Sequence, residues 1–509
     1  MDTQRRNSRR TLKLILATIA YWLALPVFLL FVSRKIDLAL PVSLLRAGIF
    51  LPLGCIVLLM SIVLSCWCAV VLYLRGGGFP LSFLPPVRLV QEGPYGLSRH
   101  PLYLAFTVYL LGLGLFVRSV ASVTIIVPFF FLLWTIYALL HEERVLVRRY
   151  GDAYGAYKRN VAFFFRPRRN VPGPGIVFAI VYLLGKGIVR VLFPLDVEGE
   201  ENLPRSGPYI LLCNHMSYLD PVFLVAASNR YVRFFTTGEM MRTRAGRWFF
   251  TAMGSISTSR YRVDSASVRA FLAALKSRDI VGIFPEGERT WDGNPLPINP
   301  TVVRLLKRSN VPIVAARIDG SYAIYPRWSS YLLPGRINVR FFAPSSSDQI
   351  LEVLSRIRTN ETGYTMFPRS ARGLERLIWA CPAEWTLDCS MNVHASNGTS
   401  VSLREFVSFL SREDFFRETD TLSSIGKVDL LIGGEELSPV ASGEVVYRDG
   451  SLHVGGMSFS ISEARIIRLE GKDRLDIGFE QGRRLRLVLH RDSPLKWEQF
   501  LHVKLGIEF

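Results

Sequence analysis

Asn214 to Asp220 read N-H-M-S-Y-L-D, lie just after the apolar run Tyr209 to Cys213, and lead into a second apolar stretch. An apolar strand that passes through a polar loop into a helix is the repeating unit of an α/β domain. The pattern holds from Leu195 to about Ser345. Tyr209 to Cys213, Ile280 to Phe284 and Ile313 to Ile318 read as buried strands, and Ser265 to Lys276 reads as a helix between two of them.

His215 and Asp220 are the chemistry-bearing pair of this loop. Imidazole is the side chain best matched to taking a proton from a hydroxyl near neutral pH, and a carboxylate on its other nitrogen holds it in the useful tautomer. In a regular helix, residues five apart point about 140° away from each other. The pair can therefore meet only if His215 sits in the strand-to-helix turn. Ser217 is then expected to cap the helix, with Asp220 one turn inside it.

Further along, Phe284-Pro-Glu-Gly-Glu-Arg-Thr290 follows a strand, and its glycine and arginine suit a loop that grips an anion by backbone amides and a guanidinium fork. Gly254-Ser-Ile-Ser-Thr-Ser-Arg260 supplies a second arginine, and Val311-Pro-Ile-Val314 comes next in order. The succession N-H-x-x-x-x-D, G-x-I-x-x-x-R, F-P-E-G-x-R and V-P-I resembles the 1-acylglycerol-3-phosphate acyltransferase family over residues 195 to 345. That resemblance implies His215 as base and Asp220 as its partner, with Asn214, Arg260, Glu286, Gly287 and Arg289 at the substrate. It implies no cofactor for acyl transfer, with acyl-CoA or acyl-carrier protein as co-substrate. The family has Thr or Ser at the position of Glu288, and Lys and Gly at those of Asn299 and Thr301. A carboxylate beside an anion site opposes binding, which points away from plain lysophosphatidate as acceptor.

Working outward, the N-terminal third is apolar. Leu12 to Val32, Ala47 to Leu74, Pro101 to Val117 and Ser119 to Leu140 read as four membrane spans, the last two forming a hairpin about Arg118. The chain carries 61 Lys and Arg against 42 Asp and Glu, a formal charge of +19. Much of that charge flanks the spans, at Arg5, Arg6, Arg9, Arg10 and Lys13 and again at Arg144, Arg148, Arg149, Lys158, Arg159, Arg166, Arg168 and Arg169. Such placement suits a cytoplasmic membrane face rather than nucleic acid, and puts the N-terminus and the α/β domain on the cytoplasmic side of a multi-pass cell membrane. Ile176 to Phe193, interrupted by Lys186 and Arg190, reads as an interfacial helix.

Arg99-His-Pro-Leu-Tyr103 and His141-Glu-Glu143 lie at span ends that the hairpin brings to one rim, and Glu143, Tyr150, Tyr154 and Tyr157 recur at helical spacing. Residues 85 to 167 resemble the isoprenylcysteine carboxyl methyltransferase and phospholipid N-methyltransferase group. The resemblance implies S-adenosylmethionine held by Arg99, His100, Tyr103, Glu142 and Glu143, although Ala105 stands where the group has Gly.

Six cysteines suggest no disulfide framework. Arg372 to Pro382 resembles the start of a zinc ribbon, but Cys381 and Cys389 fall short of the four ligands a structural zinc wants, so no metal is expected. Gly443 to Tyr447, Ser458 to Leu469, Leu475 to Phe479 and Leu485 to His490 read as strands closed by a helix from Pro494 to Leu505, a pattern that resembles a pleckstrin-homology-like barrel.

The expected architecture is multi-domain. A polytopic α-helical membrane domain (1–172) precedes an α/β acyltransferase domain (173–350, with the interfacial helix 176–193). A degenerate zinc-ribbon-like segment (363–400) and a small mostly-β C-terminal domain (415–509) come after it. The expected partners are membrane lipid and an acyl thioester, not nucleic acid. The expected function is acyl transfer to a lysophospholipid, with a lipid methyltransferase and a non-catalytic basic membrane scaffold as the alternatives.

Overall fold

The computed structural model describes residues 20–39, 48–79, 86–164, 173–204, 208–237, 240–241, 243–258, 265–290, 293, 295–327, 329, 331–357, short strands within 369–402, and then 420–424, 427–434, 436–470, 474–490 and 494–506. They divide into two compact units, one largely the helical part up to Leu184 and the other largely the residues beyond it.

In the helical unit, α1 (Leu25–Ala39) is followed by α2 (Phe50–Val71), α3 (Pro101–Phe116), α4 (Val127–Tyr137), α5 (Glu143–Tyr150), α6 (Asp152–Asn160) and the first half of α7 (Ile176–Leu192), whose residues from Gly185 belong to the other unit. Helices α2 and α3 touch backbone to backbone. A Cβ at Gly54 would lie 2.5 Å from Phe116 N, and one at Gly112 would lie 2.8 Å from Leu58 N, so glycine is what allows the approach. The hairpin about Arg118 is present, with Arg118 itself at φ +57°.

Among the described residues the span reading is carried in part, and one boundary is corrected. Among the described residues, two helices are long and apolar enough to cross a membrane, Phe50–Gly76 and Ser122–Tyr150, whereas Pro101–Phe116 is shorter. The second of these does not stop at Leu140. It runs on through the Arg-rich turn to Gly151 at φ +55°, because nothing between Leu140 and Tyr150 breaks a helix. Residues 12–19 of the first expected span lie outside the described residues.

The α/β domain is built on a seven-stranded sheet in the order β1-β7-β6-β2-β5-β3-β4. Its strands are β1 (Leu195–Glu198), β2 (Ile210–Cys213), β3 (Val232–Thr237), β4 (Ile256–Thr258), β5 (Ile280–Ile283), β6 (Ile313–Asp319) and β7 (Ile337–Phe341). Every pairing is parallel except β6 with β7. Alternation in the strands feeds two cores. Leu211, Cys213, Val314 and Ala316 face one, while Ile210, Leu212, Ile313 and Ala315 face the other. Both faces of the parallel strands are thus covered, which is why these segments read as unbroken apolar runs. The covering helices include α8 (Asp220–Ser228), α10 (Ser265–Lys276) and α11 (Pro300–Ser309), with α9 (Arg244–Ala252) and α12 (Ser321–Ile324) between strands. A last helix, α13 (Ile350–Ile357), buries Ile350, Val353, Leu354 and Ile357 in the second core, so the domain extends past residue 350.

The C-terminal region is β-rich. Its main part has a four-stranded and a five-stranded antiparallel sheet, followed by a helix at Pro494–Leu505 whose Trp497, Phe500 and Leu501 are fully buried in the core between them. The run Ser458 to Leu469, expected as one strand, is two: Met457–Ser460 and Ile466–Glu470 belong to different sheets. A tight turn around Ile461 makes the chain change sheet. Cys381 and Cys389 lie outside the described residues.

Candidate functional site

Strand β2 ends at Cys213, and the six residues before α8, Asn214 to Leu219, form loop and turn, which gives His215 the freedom that a helix would deny it. His215 Nδ1 lies 2.9 Å from Asp220 Oδ2. The same oxygen accepts the backbone N–H groups of Met216 at 2.7 Å and Ser217 at 2.8 Å. Asp220 is therefore the first residue of α8, looking back into the loop, and not one turn inside the helix as expected. The N–H groups that Asp220 accepts lie upstream of the helix, while the Ser217 hydroxyl accepts the Leu219 N–H at 3.4 Å and donates to the Tyr325 carbonyl at 3.1 Å. A carboxylate at a helix N-terminus is also favoured by the helix dipole. With Nδ1 donating to Asp220, Nε2 is the nitrogen left to accept a proton.

Burial is the largest influence on the His215 ring and pulls its pKa below the ordinary 6.5. Asp220 opposes that shift, while Arg289 and Arg327 add to it. The imidazole is accordingly neutral, and able to act as a base, at neutral pH. Phe284 stacks on it at 3.9 Å between ring centroids.

The Phe284 to Thr290 loop braces this pair chiefly through the main chain. Glu286 Oε1 accepts the His215 N–H at 3.0 Å, and Oε2 accepts the Leu296 N–H at 2.8 Å. Thr290 N–H donates to the His215 carbonyl. Gly287 sits at φ +78°, the left-handed region that a side chain resists, and its N–H closes a turn onto the Phe284 carbonyl. Arg289 is buried, its guanidinium lies 3.2 Å from the centre of the Tyr218 ring, and its Nη1 has no hydrogen-bond partner among the described residues. Burial, reinforced by Arg327, lowers the Arg289 pKa to about 10, which leaves it cationic at pH 7. A buried cation with an unmet donor is costly unless an anion completes it.

In the helical unit a second charged cluster forms where the two expected motifs meet. Glu143 is buried; its Oε2 accepts from Lys158 Nζ at 2.6 Å, and its Oε1 lies 3.1 Å from Arg99 Nη2 and 3.6 Å from His100 Nε2. His100 Nδ1 is 3.4 Å from Glu142 Oε2. The Tyr103 ring stacks on Trp134 at 5.2 Å, and both, with His100, Thr107 and Phe163, line a small recess.

Residues 194–319 match the family model described as acyltransferase. The α/β domain is of the acyltransferase family. The 1-acyl-sn-glycerol-3-phosphate acyltransferase alpha of Bos taurus is 31% identical over 169 residues, 32% of this chain and 56% of that protein. The corresponding Bacillus subtilis enzyme is 25% identical over 136 residues, 26% of this chain and 67% of the relative. The chloroplastic BAT2 acyltransferase of Brassica napus is 28% identical over 144 residues, 28% of this chain and 42% of the relative. The chain thus spans about half the length of most of these relatives. Residues 49–153 match the phospholipid methyltransferase family model.

Within the acyltransferase-family domain the structure brings His215, Asp220, Glu286, Gly287 and Arg289 together, while Arg260 lies outside the described residues. Two of the expected substrate residues hydrogen-bond to backbone. Asn214 spends its amide on β6, donating to the Ile318 carbonyl and accepting the Ile318 N–H, both at 2.9 Å. Glu286 likewise spends both oxygens on backbone. Asn299 caps α11, accepting the Thr301 N–H. Sequence reasoning missed Arg327, which is almost wholly buried and donates from Nη1 to Glu288 Oε2 at 2.8 Å and to the Arg289 carbonyl at 3.0 Å. It belongs to no motif, so nothing in the chain's pattern marks it.

Proposed function

We propose that the chain is a membrane-bound acyltransferase that moves a fatty acyl group from acyl-CoA or acyl-carrier protein to the free hydroxyl of a lysophospholipid. The observation that carries this reading is the His215–Asp220 contact at 2.9 Å, held by two backbone N–H groups, beside the unmatched guanidinium of Arg289. In this reading His215 Nε2 takes the acceptor hydroxyl's proton as the oxygen attacks the thioester carbonyl. Collapse of the tetrahedral adduct forms the ester and expels the thiolate, which recovers the proton from the imidazolium. Asp220 fixes the tautomer and stabilises the imidazolium, and Arg289 binds the acceptor's phosphate. The four-span topology, with the N-terminus and this domain on the cytoplasmic side, belongs to the same proposal.

His215→Ala removes the base. Acyl transfer from labelled acyl thioester to lysophosphatidate is expected to fall about 10⁴-fold, the scale on which removal of a positioned base acts. Unchanged transfer in that variant ends this reading.

A second activity, S-adenosylmethionine-dependent methylation of a lipid, is favoured by the convergence of Arg99, His100, Tyr103, Glu142 and Glu143 on one rim. The residues fit a planar, charged group. His100 Nε2 is a buried atom without a hydrogen-bond partner among the described residues, and His100 lines one recess with the stacked rings of Tyr103 and Trp134. S-adenosylmethionine supplies an activated methyl group when bound. Glu142 would offer its cationic end a carboxylate, and Tyr103 and His100 would offer ring faces.

A further inference from the structure

Glu288 stands one residue before Arg289, and a carboxylate there ought to compete with the acceptor's phosphate for that guanidinium. The geometry removes the conflict. Arg327, its side chain 2% exposed, takes Glu288 Oε2 at 2.8 Å and with the same Nη1 holds the Arg289 carbonyl at 3.0 Å. Glu288 is thereby paired with a cation that arrives from beyond α12, 38 residues away from Arg289, while the Arg289 guanidinium lies on the Tyr218 ring and keeps Nη1 without a hydrogen-bond partner among the described residues.

We propose that Arg327 is a positioning residue that holds Glu288 off Arg289 and so keeps the Arg289 guanidinium open to the acceptor's anionic headgroup. The inference rests on the acyl-transfer reading of this site. Its physical basis is charge balance in a poorly solvated loop. Two guanidiniums and one carboxylate leave a net cation for the ligand, whereas loss of Arg327 leaves Glu288 and Arg289 to neutralise one another.

The test uses the full-length chain in lipid nanodiscs, with four proteins: wild type, Arg327→Ala, Glu288→Thr and the double variant. Arg327→Ala is expected to raise KM for lysophosphatidate about tenfold or more with a smaller change in kcat, in line with breaking a buried charge pair. Adding Glu288→Thr to it is expected to return KM to within about threefold of wild type, because the competitor is gone. A purely structural role for Arg327 predicts no such rescue, so a double variant as poor as the single one overturns the proposal. An Arg327→Ala protein with unchanged KM also overturns it. Should Arg327→Ala fail to fold, Glu288→Thr decides: an unchanged or lower KM supports the proposal, and a tenfold rise overturns it. The Kd for glycerol 3-phosphate, which needs no turnover, is expected to rank the variants in the same order. Wild type that binds this probe without acyl transfer breaks the catalytic reading alone. Wild type that turns over while the variants show no rescue breaks this proposal alone, and wild type that does neither overturns both.

Discussion

The two charged clusters of this protein are assembled in opposite ways. In the α/β domain the two carboxylates nearest the histidine are held by the main chain: Asp220 accepts from Met216 and Ser217, and Glu286 accepts from His215 and Leu296. In the helical unit the carboxylate is held by the chain's own cations, Glu143 lying against Lys158 and Arg99. Backbone donors are fixed by the fold and bring no net charge, so the first cluster keeps a guanidinium for a ligand. Cationic side chains neutralise what they hold, so the second is closed around Glu143. A preorganised main-chain cradle is what a site needs when its geometry must not change during reaction.

The sharpest way to break this contrast is at Asp220. Asp220→Asn keeps the shape but can offer an amide N–H to Nδ1, which favours the wrong tautomer, and acyl transfer is expected to fall about 10³- to 10⁴-fold. A loss under tenfold in a kcat measurement would show that the carboxylate is not the orienting group. Glu286→Gln is expected to cost about 10- to 100-fold, because the new NH₂ meets a backbone N–H that needs an acceptor while one oxygen is retained. A neutral result there would mean that the main-chain brace does not hold His215.

The pH profile is a gentler probe. Since burial lowers the His215 pKa, the neutral base persists as pH falls, and the acid limb of kcat/KM is expected below 6.5. At pH 6 the rate should exceed the roughly one quarter that an unshifted imidazole would leave. An acid limb above 6.5 would contradict the buried environment. The smallest effect is expected in the helical unit. Lys158 is half exposed, so Lys158→Ala should tighten S-adenosylmethionine binding only a few-fold by calorimetry, releasing one Glu143 oxygen. A weaker affinity in that variant would mean that Lys158 belongs to the binding site, and the cluster would then not be closed.

Much of this was legible before the structure. Strand-loop-helix alternation, the position of His215 in a turn and the meeting of two motifs at one rim follow from periodicity and from the reach of a five-residue loop. The C-terminal helix was legible too, since Trp497, Phe500 and Leu501 mark one apolar face that the fold then buries. Place was more legible than hydrogen bonding. Asn214 and Glu286 sit in motifs among residues expected at the substrate, yet each spends its polar atoms on backbone. A motif records which residues cluster, and hydrogen bonding decides which of them remain open to a ligand.

The chain's pattern of residues, then, already commits it to an α/β domain with a histidine base and to an apolar helical region before it, because both depend on local periodicity and short loops. Tertiary structure alone decided that α13 completes the second core and that Arg327 answers Glu288. Those outcomes rest on contacts between residues far apart in sequence, where charge balance and burial are set by the packed surroundings and not by any neighbouring residue.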